Sequence, residues 1–167
     1  MQAKAAAEAA AAIRKDNSKA ADIFISGFEG RNHEIDGLYS PTQETGQDGR
    51  VLYRKNGECG DEALCIEHFE GRWCVKNQSD RGSVACFAHV EGCCALEDCR
   101  SRTWKVSDGE RFVDQRSVQM VTGEEAKSQA SGRSVLAPGS RAHSRLAVHR
   151  IMCFVLTNCA GQGHCTV

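Results

Sequence analysis

Cysteine and histidine are the residues of this chain whose types could do chemistry, and four of them lie close together in the sequence. The group is His89, Cys93, Cys94 and Cys99. Thiolate and imidazole groups bind zinc, but structural zinc sites use ligand pairs about two to four residues apart, repeated once. The run Cys93-Cys94-x4-Cys99 lacks that spacing, and small free cysteines also serve as ordinary buried apolar residues. No cofactor is therefore predicted, and a structural zinc site or a redox function of the cysteines is the alternative.

A cysteine nucleophile is the catalytic arrangement closest to what the sequence offers. Such a thiol needs a nearby histidine and an electropositive, partly exposed position, and His89 with Cys86 or Cys93 is the candidate cluster. His68 directly follows Glu67, and adjacent residues of a strand point to opposite faces. The sequence also lacks a Gly-x-Ser-x-Gly nucleophile elbow. It therefore favours a non-enzymatic protein, with a cysteine-dependent hydrolase as a third alternative.

Four large aromatic residues are the candidate ligand-binding side chains, and they are Tyr39, Tyr53, Trp73 and Trp104. Each tryptophan stands in a Trp-x-Val run next to basic residues, and each tyrosine lies near the end of a predicted strand. Large aromatic residues at a period of two belong more often to the core, because each buries about 150–250 Å². Core packing is therefore the simpler interpretation, and a surface groove for a peptide or a sugar is the functional alternative.

Short runs of β-branched and aromatic residues, separated by turn signals, must position these side chains. Asn56-Gly57 and Asp108-Gly109 predict hairpin turns, and Pro41 predicts a turn after the second strand. The predicted strands cover residues 22–27, 38–39, 50–55, 63–69, 72–76, 84–90, 103–106, 111–113 and 118–121. None of the links is long enough for the helix of a parallel crossover. The pattern predicts an all-β fold, a small antiparallel sandwich or barrel.

The two ends of the chain differ in composition from this β domain, which covers residues 22–122. Residues 1–21 are rich in alanine, the best helix former, so they predict a helical lead-in or linker. Residues 123–167 predict a linker and tail, mostly disordered, because a long part of them is rich in Ser, Gly and Arg.

The overall charge and the cysteine count restrict the partners and the compartment. A formal net charge of −1 gives no basic surface for nucleic acid and no attraction to acidic membranes. No apolar run approaches the roughly 20 residues of a membrane-spanning helix, and no signal peptide is predicted. Seven of the ten cysteines lie in residues 22–122, an odd number that cannot pair fully. A cytoplasmic protein with mainly free thiols is therefore predicted.

Several motifs resemble a small β module found in proteins of microbial eukaryotes. They are Ile25-Ser26-Gly27-x-x-Gly30, Ile35-Asp36-Gly37-Leu38-Tyr39-x-Pro41-Thr42, Gly49-Arg50-Val51-Leu52-Tyr53, Trp73-x-Val75-Lys76 and Trp104-x-Val106-x-Asp108-Gly109. Modules of this kind are often repeated or joined to unrelated domains, and no activity is assigned to them. The resemblance implies a binding or scaffolding role and carries over no catalytic or ligand-binding residue.

The sequence as a whole predicts a non-enzymatic β module that binds or scaffolds a protein or carbohydrate partner. Loops supported by a rigid sheet commonly carry recognition. The loops after Gly27 and after Pro41 are therefore the expected contact regions.

Overall fold

A computed structural model describes residues 2–132 of the chain. The predicted disorder of residues 133–167 lies outside the described residues. Short 3-10 turns occur at Gly30–Ile35, Gln78–Asp80 and Leu96–Cys99. The helices and strands, in chain order, are α1 Gln2–Asn17, β1 Ile23–Ser26, β2 Gly37–Thr45, β3 Val51–Lys55, β4 Leu64–Phe69, β5 Arg72–Asn77, β6 Ala88–Glu91, β7 Trp104–Ser107, β8 Phe112–Gln115, β9 Gln119–Thr122 and α2 Glu124–Ala130.

The nine strands form one antiparallel sheet in the order β8-β7-β6-β5-β4-β3-β2-β1-β9. Strands β1 to β8 follow one another as a meander, and β9 returns to pair with β1 on its other side. In a flat sheet β1 and β7 would lie about 29 Å apart. However, the Asn32 side-chain amide, just after β1, donates to the Ser107 carbonyl of β7 at 2.7 Å. The sheet therefore curls into a half-barrel, and the prediction of an all-β antiparallel fold with an N-terminal helix is confirmed.

The core fills the concave face of the curled sheet. Alternate residues of each strand point into it, as the period of two requires. Ile23 and Ile25 of β1, Val75 of β5 and Val106 of β7 are each fully buried. Phe28 closes one side, with its ring edge-on to Trp104 at 5.8 Å between centroids. The large apolar residues of the sequence are thus mostly used for packing.

The convex face of β4 and β5 is also buried, which is unusual for an antiparallel sheet. Cys65, Glu67, Cys74 and Lys76 point away from the core, yet each is at most 2% exposed. The segment that follows β5 and the β2–β3 loop lie over them. This second buried layer positions the candidate site described below.

A two-residue turn sets the register of the β4–β5 hairpin. Glu70 and Gly71 have φ angles of 49° and 81°, the positive values that a type I′ turn needs. The register places Glu67 opposite Cys74. Their side chains therefore share the convex face.

Three local predictions differ from the structure. Pro41 does not end the second strand but lies inside β2, opposite Tyr53. The missing proline N–H is tolerated because the β2–β3 register shifts between Pro41 and Thr45. Asn56-Gly57 opens an eight-residue link rather than a tight hairpin, since β3 ends at 55 and β4 begins at 64. Residues 84–87 precede β6 as irregular chain.

Both described helices are attached to the sheet. Asn17, at the end of α1, donates to the Gly49 carbonyl at 3.0 Å and accepts from the Val51 N–H at 3.1 Å. Most of α1 is otherwise exposed. Helix α2 buries Ala126, and the Gly123 N–H before it donates to the Asp22 carbonyl at 2.7 Å.

Candidate functional site

A buried ion pair lies at the centre of the convex face. The Lys76 ammonium is 3.2 Å from the Glu67 carboxylate, and these side chains are 0% and 2% exposed. Lys76 also donates to the Ser83 carbonyl at 2.6 Å, and Glu67 accepts from the Gly82 N–H at 2.9 Å. The Phe69 ring lies 4.9 Å from the ammonium. Since buried charges need partners and hydrogen bonds, the pair fastens the loop after β5 to the sheet.

A polar cleft of about 540 Å³ opens beside this ion pair. The β2–β3 loop forms one wall, and the segment after β5 forms the other. Its lining residues, which define the polar cleft, are Thr45, Gly46, Gln47, Asp61, Glu67, Gln78, Ser79, Arg81 and Gly82. All of them are polar, charged or glycine, so the polar cleft suits a ligand that makes hydrogen bonds.

The polar groups that line the cleft differ in whether they already have hydrogen-bond or ion-pair partners within the protein. Arg81 is held by the Glu44 carboxylate, and Glu67 is held by the contacts given above. Asp61 and Ser79 are exposed. The Gln78 side-chain oxygen is buried and has no hydrogen-bond partner among the residues that the structure describes. An unpaired buried acceptor is costly, and Gln78 is one of the residues that line the polar cleft.

Two free thiols lie near the buried ion pair. Cys74 of β5 is buried, and Cys86 in the segment before β6 is partly exposed. The Cys74 thiol donates to the Arg72 carbonyl at 3.9 Å. The influence of Cys74, opposed by burial and aided by the cations of Lys76 and Arg72, lowers the pKa of Cys86 to about 7. The influence of Cys86, together with burial, raises the pKa of Cys74.

His89 lies on β6 directly across from Cys74. Its Nε2 atom is 3.3 Å from the Glu91 carboxylate, and its ring packs edge-on to Phe112 at 4.6 Å between centroids. Burial is the main cause that lowers the pKa of His89, with Arg72 contributing. The candidate nucleophile cluster was His89 with Cys86 or Cys93. The structure places His89 opposite Cys74 and places Cys93 in a disulfide with Cys99. The imidazole is held in a structural contact with Glu91.

A second histidine makes a short contact with a carboxylate. His68 Nδ1 lies 2.6 Å from Asp48 Oδ2, and Arg50 also approaches Asp48 at 2.6 Å. Burial opposes ionisation of Asp48, but the hydrogen bonds from His68 and Arg50 outweigh it and lower the pKa of Asp48 to about 2. Arg50 further donates to the Cys94 carbonyl at 2.9 Å. This network ties the β2–β3 loop to β4.

The four candidate aromatic residues all lie in the core, and none is more than 2% exposed. Tyr53 and Trp73 meet edge-on at 6.0 Å and line a narrow crevice with Glu97. The Tyr53 hydroxyl donates to Glu97 at 2.6 Å, whereas Tyr39 donates to the Ile35 carbonyl at 2.7 Å. These four side chains therefore pack in the core, and none of their rings has an exposed face for a ligand.

The candidate zinc ligands do not come together as one group. Cys93 and Cys99 form a disulfide, and Cys94 is exposed as a free thiol. His89 is occupied by Glu91 and Phe112. Within residues 2–132 no cluster of three or more His, Cys, Asp or Glu side chains has the geometry of a metal site.

Sequence reasoning missed the buried Lys76–Glu67 pair. Charged residues alternate with apolar ones inside β4 and β5. This pattern is typical of strands whose charged face is in contact with solvent, so it indicated exposure and not burial. What buries that face is the segment after β5. Nothing in a strand pattern shows where such an irregular segment packs.

The comparisons with known proteins add no function. No protein-family model, curated protein or solved structure matches this chain. Within the described part of the chain, no helix has both the length and the apolar character to cross a membrane.

Proposed function

We propose that this chain is a non-enzymatic binding module that holds a polar peptide segment of a partner protein in the polar cleft. The observation that carries the proposal is the unpaired, buried oxygen of Gln78 in the cleft wall. An unsatisfied buried acceptor costs about 1–3 kcal/mol. Binding recovers that free energy when the Gln78 side chain turns so that its oxygen accepts from an N–H group of the peptide.

The chemistry of the walls favours a peptide over a sugar. A sugar ring commonly needs a flat apolar face, and no aromatic residue lines the polar cleft. The polar cleft instead offers the amide side chain of Gln78, the hydroxyl of Ser79 and the exposed carboxylate of Asp61. Asp61 suits a lysine or arginine side chain of the partner, because a charge-assisted hydrogen bond is stronger than a neutral one.

The scaffold supports a binding role as well. Recognition loops work when a rigid sheet positions them, and the Lys76–Glu67 pair fastens the wall that contains Gly82. The Asp48–His68 contact fastens the opposite loop. The cytosol is the proposed setting, supported by the five free thiols among the described residues, which outnumber the two cysteines of the Cys93–Cys99 disulfide.

A selection experiment with the full-length chain tests the proposal. The protein is panned against a random-peptide phage library and, separately, applied to a glycan array. We expect peptides to be selected, with donor-rich sequences that include lysine or arginine. Binding of glycans without any selected peptide, or of neither class, contradicts the proposed partner.

Variants then locate the contact. Gln78→Leu removes the acceptor and keeps the size of the side chain, and we expect selected peptides to bind it at least about tenfold more weakly, equal to about 1.4 kcal/mol. Gln119→Leu is the matched control, because Gln119 is an exposed glutamine on β9 outside the polar cleft. Equal affinity of Gln78→Leu and the native chain rules out this site.

A further inference from the structure

A second pocket, which the proposed function does not use, opens where β6 ends and β7 begins. It has a volume of about 450 Å³, within the range of pockets that hold small ligands. It shares no residue with the polar cleft. Its lining residues, which define the basic pocket, are Glu91, Gly92, Ser101, Arg102, Thr103 and Lys105.

The fold fixes both walls of the basic pocket. Strands β6 and β7 are antiparallel neighbours, with His89 opposite Lys105. The Cys93–Cys99 disulfide joins the chain that leaves β6 to the chain that returns towards β7. The main-chain N–H of Arg102 donates to the Cys99 carbonyl at 2.9 Å. Walls that are held in place before binding reduce the entropy lost when a ligand is bound.

Several hydrogen-bond donors of the basic pocket are available to a ligand. The Arg102 guanidinium makes one long hydrogen bond, to the Gly92 carbonyl at 3.5 Å, and has no ion pair among residues 2–132. The hydroxyls of Ser101 and Thr103 make no hydrogen bond within the same residues. Lys105 adds an ammonium group that is 44% exposed. The donors and their charge favour an anionic ligand.

Glu91 is the carboxylate among the lining residues, and it already has partners. Its Oε1 atom lies 3.3 Å from His89 Nε2, and its Oε2 atom lies 3.6 Å from Lys105 Nζ. Arg72 of β5 is opposite Glu91 in the strand register. Glu91 therefore keeps a partner when the Lys105 ammonium turns towards a ligand. With two cations and one carboxylate, the basic pocket has an excess of positive charge.

The number of donors favours a phosphate monoester over other anions. Its phosphate has three terminal oxygens and a charge of about −1.5 to −2 at pH 7. A planar guanidinium donates to two such oxygens at once, and the ammonium and hydroxyl groups supply the remaining donors. A carboxylate has only one negative charge for the two cations. No aromatic side chain lines the basic pocket, so a nucleotide base has no ring to stack on.

We propose that the basic pocket binds the phosphate of a phosphoserine or phosphothreonine in a partner protein. Arg102 and Lys105 hold the phosphate by charge-assisted hydrogen bonds. Ser101 and Thr103 donate to its remaining oxygens. The inference is independent of the peptide site in the polar cleft. It makes attachment of this face of the sheet depend on phosphorylation of the partner.

An NMR titration of the isotope-labelled full-length chain, in buffer without phosphate or sulfate, tests the proposal. The probe is a short peptide of glycine and alanine around a central phosphoserine. We expect the amide signals of Gly92 and Thr103 to shift with saturation, and that of Gly46 in the polar cleft to stay in place. The peptide with unmodified serine should cause no saturable shift. Equal shifts with both peptides, or none with the phosphopeptide, overturn the proposal.

Inorganic phosphate separates a peptide site from a simple ion site. We expect it to compete with the phosphopeptide for the basic pocket, and a higher salt concentration to weaken both. Saturable binding of inorganic phosphate without any binding of the phosphopeptide contradicts the proposed partner.

Variants then test the role of the guanidinium. We expect Arg102→Gln to weaken phosphopeptide binding at least about tenfold, because hydrogen bonds to charged groups are the strong ones. Arg102 is exposed, so the fold should not depend on it. Arg111→Gln is the matched control, because Arg111 is 80% exposed and lies outside the basic pocket. Equal affinity of Arg102→Gln and the native chain overturns the assignment.

Discussion

Lys76→Met should destabilise the domain strongly, although methionine is an apolar residue placed in a strand. The Lys76 ammonium is fully buried and contacts the Glu67 carboxylate at 3.2 Å and the Ser83 carbonyl at 2.6 Å. Methionine fills a similar volume but donates no hydrogen bond. The variant therefore leaves Glu67 buried as a charge whose remaining partner is the Gly82 N–H.

The expected magnitude follows from the burial of both partners. Removing one member of a buried pair costs about 3–5 kcal/mol, because the other charge is left uncompensated. A small domain has a total free energy of unfolding of about 5–15 kcal/mol. We therefore expect Lys76→Met to lose a large fraction of the stability of the sheet.

Urea unfolding followed by tryptophan fluorescence measures this free energy, since Trp73 and Trp104 are both buried. Lys105→Met is the matched control. Lys105 pairs with Glu91 at 3.6 Å, but those side chains are 44% and 53% exposed, so its loss should change the free energy of unfolding by at most about 1 kcal/mol.

A double variant separates charge from packing. Lys76→Met with Glu67→Gln removes both charges, and the glutamine oxygen still accepts from the Gly82 N–H. We expect the double variant to regain most of the lost stability, because a neutral buried pair needs no counter-charge. Two results would refute the interpretation that these two buried charges compensate each other. One is a decrease in the free energy of unfolding below about 1 kcal/mol in Lys76→Met. The other is a double variant that is less stable than either single variant.

Two further predictions concern the turns and the pH dependence. In Gly27→Ala the new Cβ collides with the Ser117 carbonyl oxygen at a φ of +93°, so the substitution should cost more than about 2 kcal/mol in urea unfolding. Gly57→Ala, at a φ of +85° in open space, should cost only about 1 kcal/mol. Asp48 has a folded pKa of about 2, below its ordinary 3.8, so its stabilising contribution is present above about pH 4 and is lost as the pH falls towards 2. After allowance for solvent screening, Asp48→Asn should remove about 1–2 kcal/mol at pH 7 and flatten the acid limb of the stability curve, whereas an unchanged acid limb contradicts the role given to this carboxylate.

The fold class could be read from the sequence because it depends on local signals. Trp73 and Val75 alternate with polar neighbours, as do Trp104 and Val106, and this period of two identifies strands without any knowledge of their partners. The short links between them require antiparallel neighbours. These features were sufficient to predict the all-β antiparallel fold.

The return of β9 to β1 and the position of Pro41 could not be read in the same way. Pro41 signals a turn in isolation, but a register shift lets it stay within β2. Pairing of β9 with β1 joins residues about a hundred positions apart. Such contacts depend on how the sheet curls, which no local pattern determines.

The polar cleft and the ion pair beside it escaped prediction for a related reason. Glu67 and Lys76 occupy ordinary strand positions. They become a buried pair because the segment after β5 folds back over the sheet. The close spacing of Cys93 and its neighbouring cysteines in the sequence indicated a candidate metal site there instead.

An NMR titration of the full-length chain with a selected peptide tests the proposed binding role most directly. The account predicts that the backbone amide signals of Gly46, Ser79 and Gly82, which line the polar cleft, shift with saturation. It also predicts that the signal of Gly92, outside the polar cleft, stays in place. Shifts centred on Gly92, or no saturable shift at the three cleft amides, would contradict the polar cleft as the binding site.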